Sequence, residues 1–350
     1  MNRPASGQPP RLSRSGITRV ELLAILGVCL AVVGLAIPAL LSSREASRRT
    51  TCQANLGQLS RAVIAFDQQK LFIPGLRNAH PNPSVFNSGD SRPKGTVSWP
   101  VLILPNIECQ ETYTLWSKRS DSNSGAVPNS NPAPAIAIFN CPSSPSEFDY
   151  QPTLAYAGNG GIGVVANAQS KNDSVMLDTL GVVGGYDAAR TSVEFINSGD
   201  GGANTLLLAE KCGPLYSPLA FYDMAPRSLA APTASTFSPG IWFSPGQPNT
   251  PIPAFGVFSD LATPLTSPML NSKNPINVLD SAITRPSSQH SGGVLVAFVD
   301  GHCRALSEAI SPQTYGQLLT PNSRSGEGRM AFKAEGADFL PAEPLAESAL

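Results

Sequence analysis

The feature that most constrains this chain is an uninterrupted apolar segment near its N-terminus. The segment runs from Leu22 to Leu41, and its twenty residues, LLAILGVCLAVVGLAIPALL, carry no charge. A helix of that length, rising 1.5 Å per residue, spans about 30 Å, which matches the thickness of one bilayer core. The sequence therefore predicts a single transmembrane helix, so the 350 residues do not form one uniform soluble domain.

The residues before the span predict its orientation. Residues 1–16 contain Arg3, Arg11 and Arg14 but no acidic residue, and they show no apolar periodicity. Basic residues mark the cytoplasmic side of a span, so we expect the rest of the chain to be exported. The predicted location is the inner membrane, crossed once, with the C-terminal domain in the periplasm or at the cell surface. The net charge of -1 provides no basic surface, which argues against nucleic acid as a partner.

A carboxylate stands directly before the span. Glu21 would be costly in hydrocarbon without a partner. If the chain is cut after Gly16, Glu21 lies about one helical turn from the new α-amino group, and the two charges can neutralise each other within or between chains. The alternative is an uncleaved signal anchor in which Glu21 lies among the lipid headgroups.

Residues 16–23, GITRVELL, resemble the class III signal of type IV prepilins and pseudopilins, G-F-T-L-I-E-L-L. The resemblance implies cleavage by prepilin peptidase after Gly16 and N-methylation of Ile17. It also implies that Glu21 acts in assembly with like or related pseudopilin subunits through the N-terminal helix. The sequence departs from the pattern at Ile17, usually Phe, and at Arg19, usually Leu.

An apolar stripe at helical spacing follows the span. Its members are separated by steps of four and three residues: Cys52, Leu56, Leu59, Val63 and Phe66. We therefore predict one helix from about residue 18 to about residue 69, with its second half docked on a globular head. A coiled coil is the competing interpretation, but only two heptads precede Pro74, which ends the pattern.

Beyond the helix, short apolar runs separated by proline and glycine predict a mostly antiparallel β domain with long loops. The predicted fold class is therefore α+β and pilin-like. We interpret residues 99–105 as an edge strand between prolines, and residues 135–139 and 205–209 as buried strands. Asp300-Gly301, between two apolar runs, predicts a β-hairpin with a type I′ turn, which needs positive φ at both positions.

Other segments lack a regular pattern. We predict a loop at 118–134, loops with short strands at 214–286, and a disordered tail at 321–350. The predicted organisation is listed in chain order: leader 1–16, long helix 17–72, exported domain 73–320 and tail 321–350.

Six motifs follow one another along the exported part: TCQANLGQL (51–59), SWPVLILPNIE (98–108), FNCPSSP (139–145), AYAGNGG (155–161), SGDGGANTLLLAEK (198–211) and HSGGVLVAFVDGH (290–302). This series is similar to the planctomycete DUF1559 family, pseudopilin-like proteins with an H-x9-D-G sequence near the C-terminus. His290, Asp300 and Gly301 match that sequence. The resemblance extends from about residue 16 to residue 320 and is poor at 212–286.

Five of the six cysteines lie in the exported part, where disulfides form. None belongs to a C-x-x-C pair, which argues against a zinc knuckle or a thioredoxin-like site. The resemblance implies that Cys52 pairs with Cys141, because both stand in family motifs. Such a bond would fasten the helix to the head and contribute about 2–4 kcal/mol.

Three groups of polar residues have possible chemical roles. For His290, Asp300 and His302 the spacing favours structure over a metal or catalytic site, with Asp300-Gly301 making the turn and His290 near the strand start. Residues 199–204, GDGGAN, have the composition of a calcium loop without EF-hand spacing, so a turn is favoured and calcium is the second interpretation. Residues 158–163 are glycine-rich, lack the lysine of a P-loop and predict a turn.

These features predict a non-enzymatic, membrane-anchored structural protein of the type IV pilin or type II secretion pseudopilin class. We expect no metal site and no cofactor other than the calcium considered above. The alternative is an anchored exported module that binds carbohydrate or peptide and does not polymerise. An anchored hydrolase is the third interpretation, although the sequence contains neither H-E-x-x-H nor G-x-S-x-G.

Overall fold

The structure is a computed structural model. It describes residues 18–79, 81, 96–118, 134–145, 152–161, 169–181, 187–212, 240–241, 244–245, 257–258, 286–290, 293–307, 310 and 312–323. The chain divides into two compact units, residues 1–47 and residues 48–350. The leader 1–16 lies outside the described residues, as do most of the predicted loop 118–134 and the tail beyond residue 323.

The first unit contains the beginning of helix α1, which runs from Arg19 to Lys70. The predicted helix from about 18 to about 69 is confirmed within one residue at each end. From Val20 to Leu41 every large apolar side chain is at least half exposed. Among the described residues, α1 is the one helix whose length and composition suit a membrane span.

In the second unit the same helix is buried along the predicted stripe. The side chains at Cys52, Leu56, Leu59 and Val63 are 0% exposed. The helix ends where Leu71 adopts a left-handed φ of 64°, and the Leu71 N–H still donates to the Asp67 carbonyl at 2.6 Å. This half of α1 supplies one wall of the larger apolar core of the unit.

Short strands make up the β structure. In chain order they are β1 (Asn78–Ala79), β2 (Thr96–Val97), β3 (Tyr156–Asn159), β4 (Leu206–Glu210), β5 (Gly240–Ile241), β6 (Ser244–Pro245), β7 (Val257–Phe258), β8 (Val294–Phe298) and β9 (Cys303–Leu306). The main sheet has the order β5-β3-β4-β8-β9, with β3 and β5 parallel and the other three pairings antiparallel. The mostly antiparallel α+β architecture is thereby confirmed, and the strand predicted at 205–209 is β4, one residue later.

Both faces of the central sheet are covered, which explains its continuous apolar sequence. Side chains of β8 alternate between two cores: Leu295 and Ala297 pack on the α1 side, while Val294, Val296 and Phe298 pack on the other. The second core is completed by helix α5 (Pro312–Leu319), through Tyr315, Leu318 and Leu319. A strand buried on both faces needs apolar residues at every position, so VLVAF does not alternate with polar residues.

The predicted hairpin joins β8 to β9, but its turn differs from the prediction. The Gly301 N–H donates to the Phe298 carbonyl at 2.9 Å, and the Phe298 N–H donates to the His302 carbonyl at 2.9 Å. Gly301 has a φ of +91°, whereas Asp300 has no positive φ. The type I′ prediction is therefore wrong, because the loop has three residues and the pattern of a type I turn followed by a glycine bulge.

Two predicted strands are helical turns. Residues 99–105 form helix α2 (Trp99–Leu102) and the start of a 3₁₀ turn (Leu104–Ile107), and each begins with a proline at its first or second position. Proline suits the first helical turn because its φ is already fixed near the helical value. The run at 135–139 contains a 3₁₀ turn (Ala137–Phe139). Short apolar runs have the same composition in a buried turn and in a buried strand.

Three described helices and two short strands were not predicted. They are helix α3 (Gln110–Lys118), helix α4 (Val193–Ser198) and α5, together with β1 and β2. The turn predicted at 158–163 is wrong at its start, because Gly158 and Asn159 belong to β3.

The structure describes parts of two regions that were predicted to be irregular. Between 214 and 286 the described residues are β5, β6, β7 and Pro286, and β5 belongs to the main sheet. The beginning of the predicted tail is also packed, since Ser323 is buried and its N–H donates to Asp200 Oδ2 at 2.8 Å.

Candidate functional site

The N-terminal end of α1 is capped by reciprocal hydrogen bonds between Thr18 and Glu21. The Thr18 N–H and hydroxyl donate to Glu21 Oε2 at 2.8 and 3.0 Å, and the Glu21 N–H approaches Thr18 Oγ1 at 3.3 Å. This is a capping box, and the sequence analysis missed it although T-x-x-E is its signature. The exposed Glu21 carboxylate therefore lies at the beginning of the helix, while Gly16 and Ile17 lie outside the described residues.

A disulfide joins α1 to the head. Cys52 on the buried stripe is bonded to Cys141, which follows the Ala137–Phe139 turn, and their Cα atoms are 5.4 Å apart. Two hydrogen bonds support the same junction. Asn55 Nδ2 donates to the Asn140 carbonyl at 3.2 Å, and the Tyr156 hydroxyl donates to the Cys52 carbonyl at 3.4 Å.

Two further side chains meet this disulfide. His290 Nε2 lies 3.5 Å from Cys141 Sγ and 3.5 Å from Glu210 Oε1. Glu210 is the last residue of β4, and His290 lies in the segment before β8. We call Cys52, Cys141, Glu210 and His290 the Cys–His–Glu cluster; its ligand atoms all lie within 4.8 Å of one another, and its residues are at most 1% exposed.

The Glu210 carboxylate dominates the electrostatics of the cluster. Its Oε2 accepts a hydrogen bond from the Leu295 N–H at 3.1 Å, whereas its Oε1 accepts none from the described residues. Burial raises the pKa of the Tyr156 phenol and of the Cys212 thiol well above their usual values, and the negative charge of Glu210 raises both further. A cation or an acidic proton at this position would be stabilised by the same charge.

Sequence reasoning missed the cluster because its members are far apart in the chain. The two cysteines are separated by 89 residues, and metal-site recognition from sequence depends on short spacings. One signal was present: each of the four residues stands in one of the six motifs that carry the family resemblance. The prediction that the chain has no metal site grouped His290 with Asp300 and His302. It did not group His290 with the two cysteines and Glu210.

The structure separates the members of the H-x9-D-G sequence. His290 lies in the Cys–His–Glu cluster, whereas Asp300 and Gly301 form the β8–β9 turn. In that turn His302 Nδ1 lies 2.6 Å from Asp300 Oδ1, and the His302 ring stacks on Phe298 with 4.1 Å between ring centroids. Both members of this His–Asp pair are about 40% exposed.

Residues 199–204, considered for calcium, form a turn held by hydrogen bonds. Asn204 Nδ2 donates to the Asp200 carbonyl at 3.1 Å, and the Gly202 N–H donates to Asn197 Oδ1 at 3.1 Å. Asp200 Oδ2 is occupied by the Ser323 N–H. Within the described part of the chain, the Cys–His–Glu cluster is the group in which metal-ligand atoms converge.

Comparison with known proteins identifies a family without a known activity. Residues 42–313 match the family described as "Protein of unknown function (DUF1559)", also named SBP_bac_10. No curated protein and no solved structure is significantly similar to the chain. Since the match covers more than half of the sequence, the chain belongs to the DUF1559 family.

Proposed function

We propose that this protein is a pseudopilin-like structural protein, processed by prepilin peptidase after Gly16 and anchored in the inner membrane by α1. The observation that carries the proposal is the exposed apolar surface of α1 from Val20 to Leu41. Such a continuous surface is unfavourable in water and requires lipid or other helices around it. The head faces the periplasm or the cell exterior, as the basic residues before the span favour.

The capping box supports a specific assembly step. In an isolated subunit Glu21 accepts hydrogen bonds from Thr18, and a capping interaction of this kind contributes about 1 kcal/mol. Cleavage after Gly16 creates an α-amino group, which can form an ion pair with Glu21 of a neighbouring subunit. In a low-dielectric environment the attraction between two opposite charges exceeds the capping energy, so Glu21 exchanges one partner for the other on assembly.

The assembly step is tested with two variants that separate charge from capping. Glu21→Gln keeps the capping geometry but loses the charge, whereas Thr18→Ala keeps the charge but loses both hydrogen bonds of the Thr18 hydroxyl. Cys29, an exposed thiol of α1, is the crosslinking site, and Cys29→Ser is the control without a crosslink. We expect a crosslinked dimer from the wild type and from Thr18→Ala in membranes, and a yield of that dimer lower by at least about tenfold in Glu21→Gln, equivalent to 1.4 kcal/mol.

Mass spectrometry of the same membranes verifies processing, with N-methylated Ile17 as the expected first residue. An unprocessed Met1 terminus, or a Glu21→Gln dimer yield equal to that of the wild type, would contradict the proposal. A processed wild type without any crosslinked dimer would favour the anchored carbohydrate- or peptide-binding module, which does not polymerise.

A further inference from the structure

The Cys–His–Glu cluster has the composition of a metal site. It offers two sulfurs, one imidazole nitrogen and one carboxylate oxygen, from four separate segments of the second unit. Thiolate and imidazole ligands favour zinc and similar borderline or soft ions over calcium and magnesium, which prefer oxygen. Four protein ligands in a site closed to solvent are typical of structural zinc rather than catalytic zinc.

The distances fit tetrahedral coordination. Zinc–sulfur bonds of 2.3 Å and zinc–nitrogen or zinc–oxygen bonds of 2.0–2.1 Å give ligand–ligand distances of about 3.3–3.8 Å. The two distances that His290 Nε2 makes, to Cys141 Sγ and to Glu210 Oε1, are both 3.5 Å. All four ligand atoms lie within 4.8 Å of one another, and the two sulfurs, which are bonded in the disulfide, would have to separate.

We propose that Cys52, Cys141, Glu210 and His290 form a buried zinc-type metal site that fills when the Cys52–Cys141 disulfide is reduced. The disulfide and the metal are thus alternative connections between α1 and the head. The metal form holds two further elements, the end of β4 and the segment before β8, which the disulfide does not join covalently.

The unsatisfied carboxylate oxygen is the second observation that points to a ligand. Glu210 is 0% exposed, and its Oε1 accepts no hydrogen bond from the described residues; His290 Nε2 lies 3.5 Å from it and forms an ion pair only when the imidazole is protonated. The other oxygen is oriented by the Leu295 N–H, as outer-shell contacts orient metal-binding carboxylates. A buried carboxylate oxygen without a donor is costly, and a cation bound there removes that cost.

Conversion of the disulfide form into the metal form requires a reductant, and a dithiol serves as that reductant. A small dithiol, or a thioredoxin-like protein that carries one, transfers two electrons and two protons to the disulfide and becomes a disulfide itself. The divalent ion then displaces the protons from both thiols, which are released to the solvent. Glu210 binds as a carboxylate and His290 as a neutral imidazole.

The test uses the full chain in detergent, with zinc as the probe and free thiols monitored throughout. After reduction and dialysis against zinc, we expect one zinc per chain by elemental analysis, and after oxidation none. Cobalt substituted for zinc in the reduced protein is expected to show thiolate charge-transfer and tetrahedral visible bands. Equal zinc content in the oxidised and reduced chains, or octahedral cobalt bands without charge transfer, would overturn the proposal.

Matched variants assign the ligands. His290→Ala and Glu210→Gln are expected to weaken zinc binding by more than about tenfold, the loss that even an outer-shell change causes. The controls are His302→Ala and Cys303→Ser, which alter the same residue types outside the cluster and should keep wild-type affinity. Wild-type affinity in both His290→Ala and Glu210→Gln would refute the assignment. If either variant does not fold, the stoichiometry and cobalt spectrum of the reduced wild type decide.

Discussion

Lys211, the residue that follows Glu210, is a fully buried amine in the centre of the head. Its Nζ donates to the Gly240 carbonyl at 2.7 Å, which ties β4 to the short strand β5. Burial lowers the pKa of this amine from 10.5 to about 7. Below pH 7 the amine is charged in the folded and the unfolded chain, and the folded state bears the whole desolvation cost. Between about pH 7 and pH 10.5 the unfolded chain holds a proton that the folded chain has lost, so stability rises with pH.

Replacing Lys211 with Met should remove this dependence. The slope attributable to one such group is at most about 1.4 kcal/mol per pH unit. Between pH 6.5 and pH 9 we expect the free energy of unfolding of the wild type to rise by about 2–3 kcal/mol relative to that of Lys211→Met. The reason is that the buried amine of the folded wild type loses its proton over this range. Urea unfolding of both proteins at the two pH values measures this change. If the two free energies of unfolding differ by the same amount at both pH values, Lys211 does not titrate in this window.

Individual residues differ in how far their roles follow from sequence. The capping box at Thr18 and Glu21 is local, and its spacing alone predicts its hydrogen bonds. The Cys–His–Glu cluster depends on contacts between residues far apart in the chain, which no local pattern encodes. Its members become recognisable together only when the motifs are considered as a set.

Among the secondary-structure elements, the β8–β9 hairpin shows how the backbone conformation of one residue, Gly301, contributes to stability. Gly301 has a φ of +91°, and a Cβ placed there would meet nothing closer than Ile64 Cδ1 at 3.6 Å. Any penalty for a side chain at this position is therefore conformational rather than steric.

Gly301→Ala should destabilise the head by about 1–2 kcal/mol, the cost of left-handed backbone for a residue with a Cβ. Gly57→Ala is the matched control, because Gly57 lies in α1 and its Cβ would make contacts of 3.5 Å, an ordinary van der Waals distance. A helical alanine is favoured over glycine, so Gly57→Ala should raise stability by up to about 1 kcal/mol. Chemical unfolding of both variants checks the opposite signs; equal effects would argue against the bulged turn.

The elements that sequence predicts well are those with a sustained period or a strong turn signal. Helix α1 and the strands β4 and β8 belong to this class, since burial on one stripe or on both faces leaves a readable pattern. The segment at residues 99–105 does not, because four or five apolar residues between prolines fit a strand and a helical turn equally. The prolines at its two turn starts decide in favour of the turns.

In the whole second unit, the central sheet is packed between the second half of α1 and helix α5. The α1 side is additionally fixed by the Cys52–Cys141 bond. This arrangement makes the helix part of the core of the head, so the stability of the head depends on its covalent connection to the helix.

Removing the bond with the double variant Cys52→Ser, Cys141→Ser should lower the free energy of unfolding by about 2–4 kcal/mol. The measurement is urea unfolding of both proteins under oxidising conditions, which keep the disulfide of the wild type intact. Cys303→Ser controls for the loss of a thiol alone, since Cys303 is not bonded to another cysteine. Unfolding curves identical to wild type would mean that the bond contributes nothing to the fold.

The position of the disulfide also determines how the protein carries mechanical load. Tension applied between the N-terminal end of α1 and the C-terminal part of the head passes from Cys52 directly to Cys141 through the covalent bond. The chain between these two cysteines is a closed loop outside the path of that tension, so pulling on the N-terminal end of α1 does not peel the helix beyond Cys52 from the sheet. A bound metal ion would replace this covalent path with coordinate bonds, and reduction would thereby convert an inextensible connection into one that yields under force.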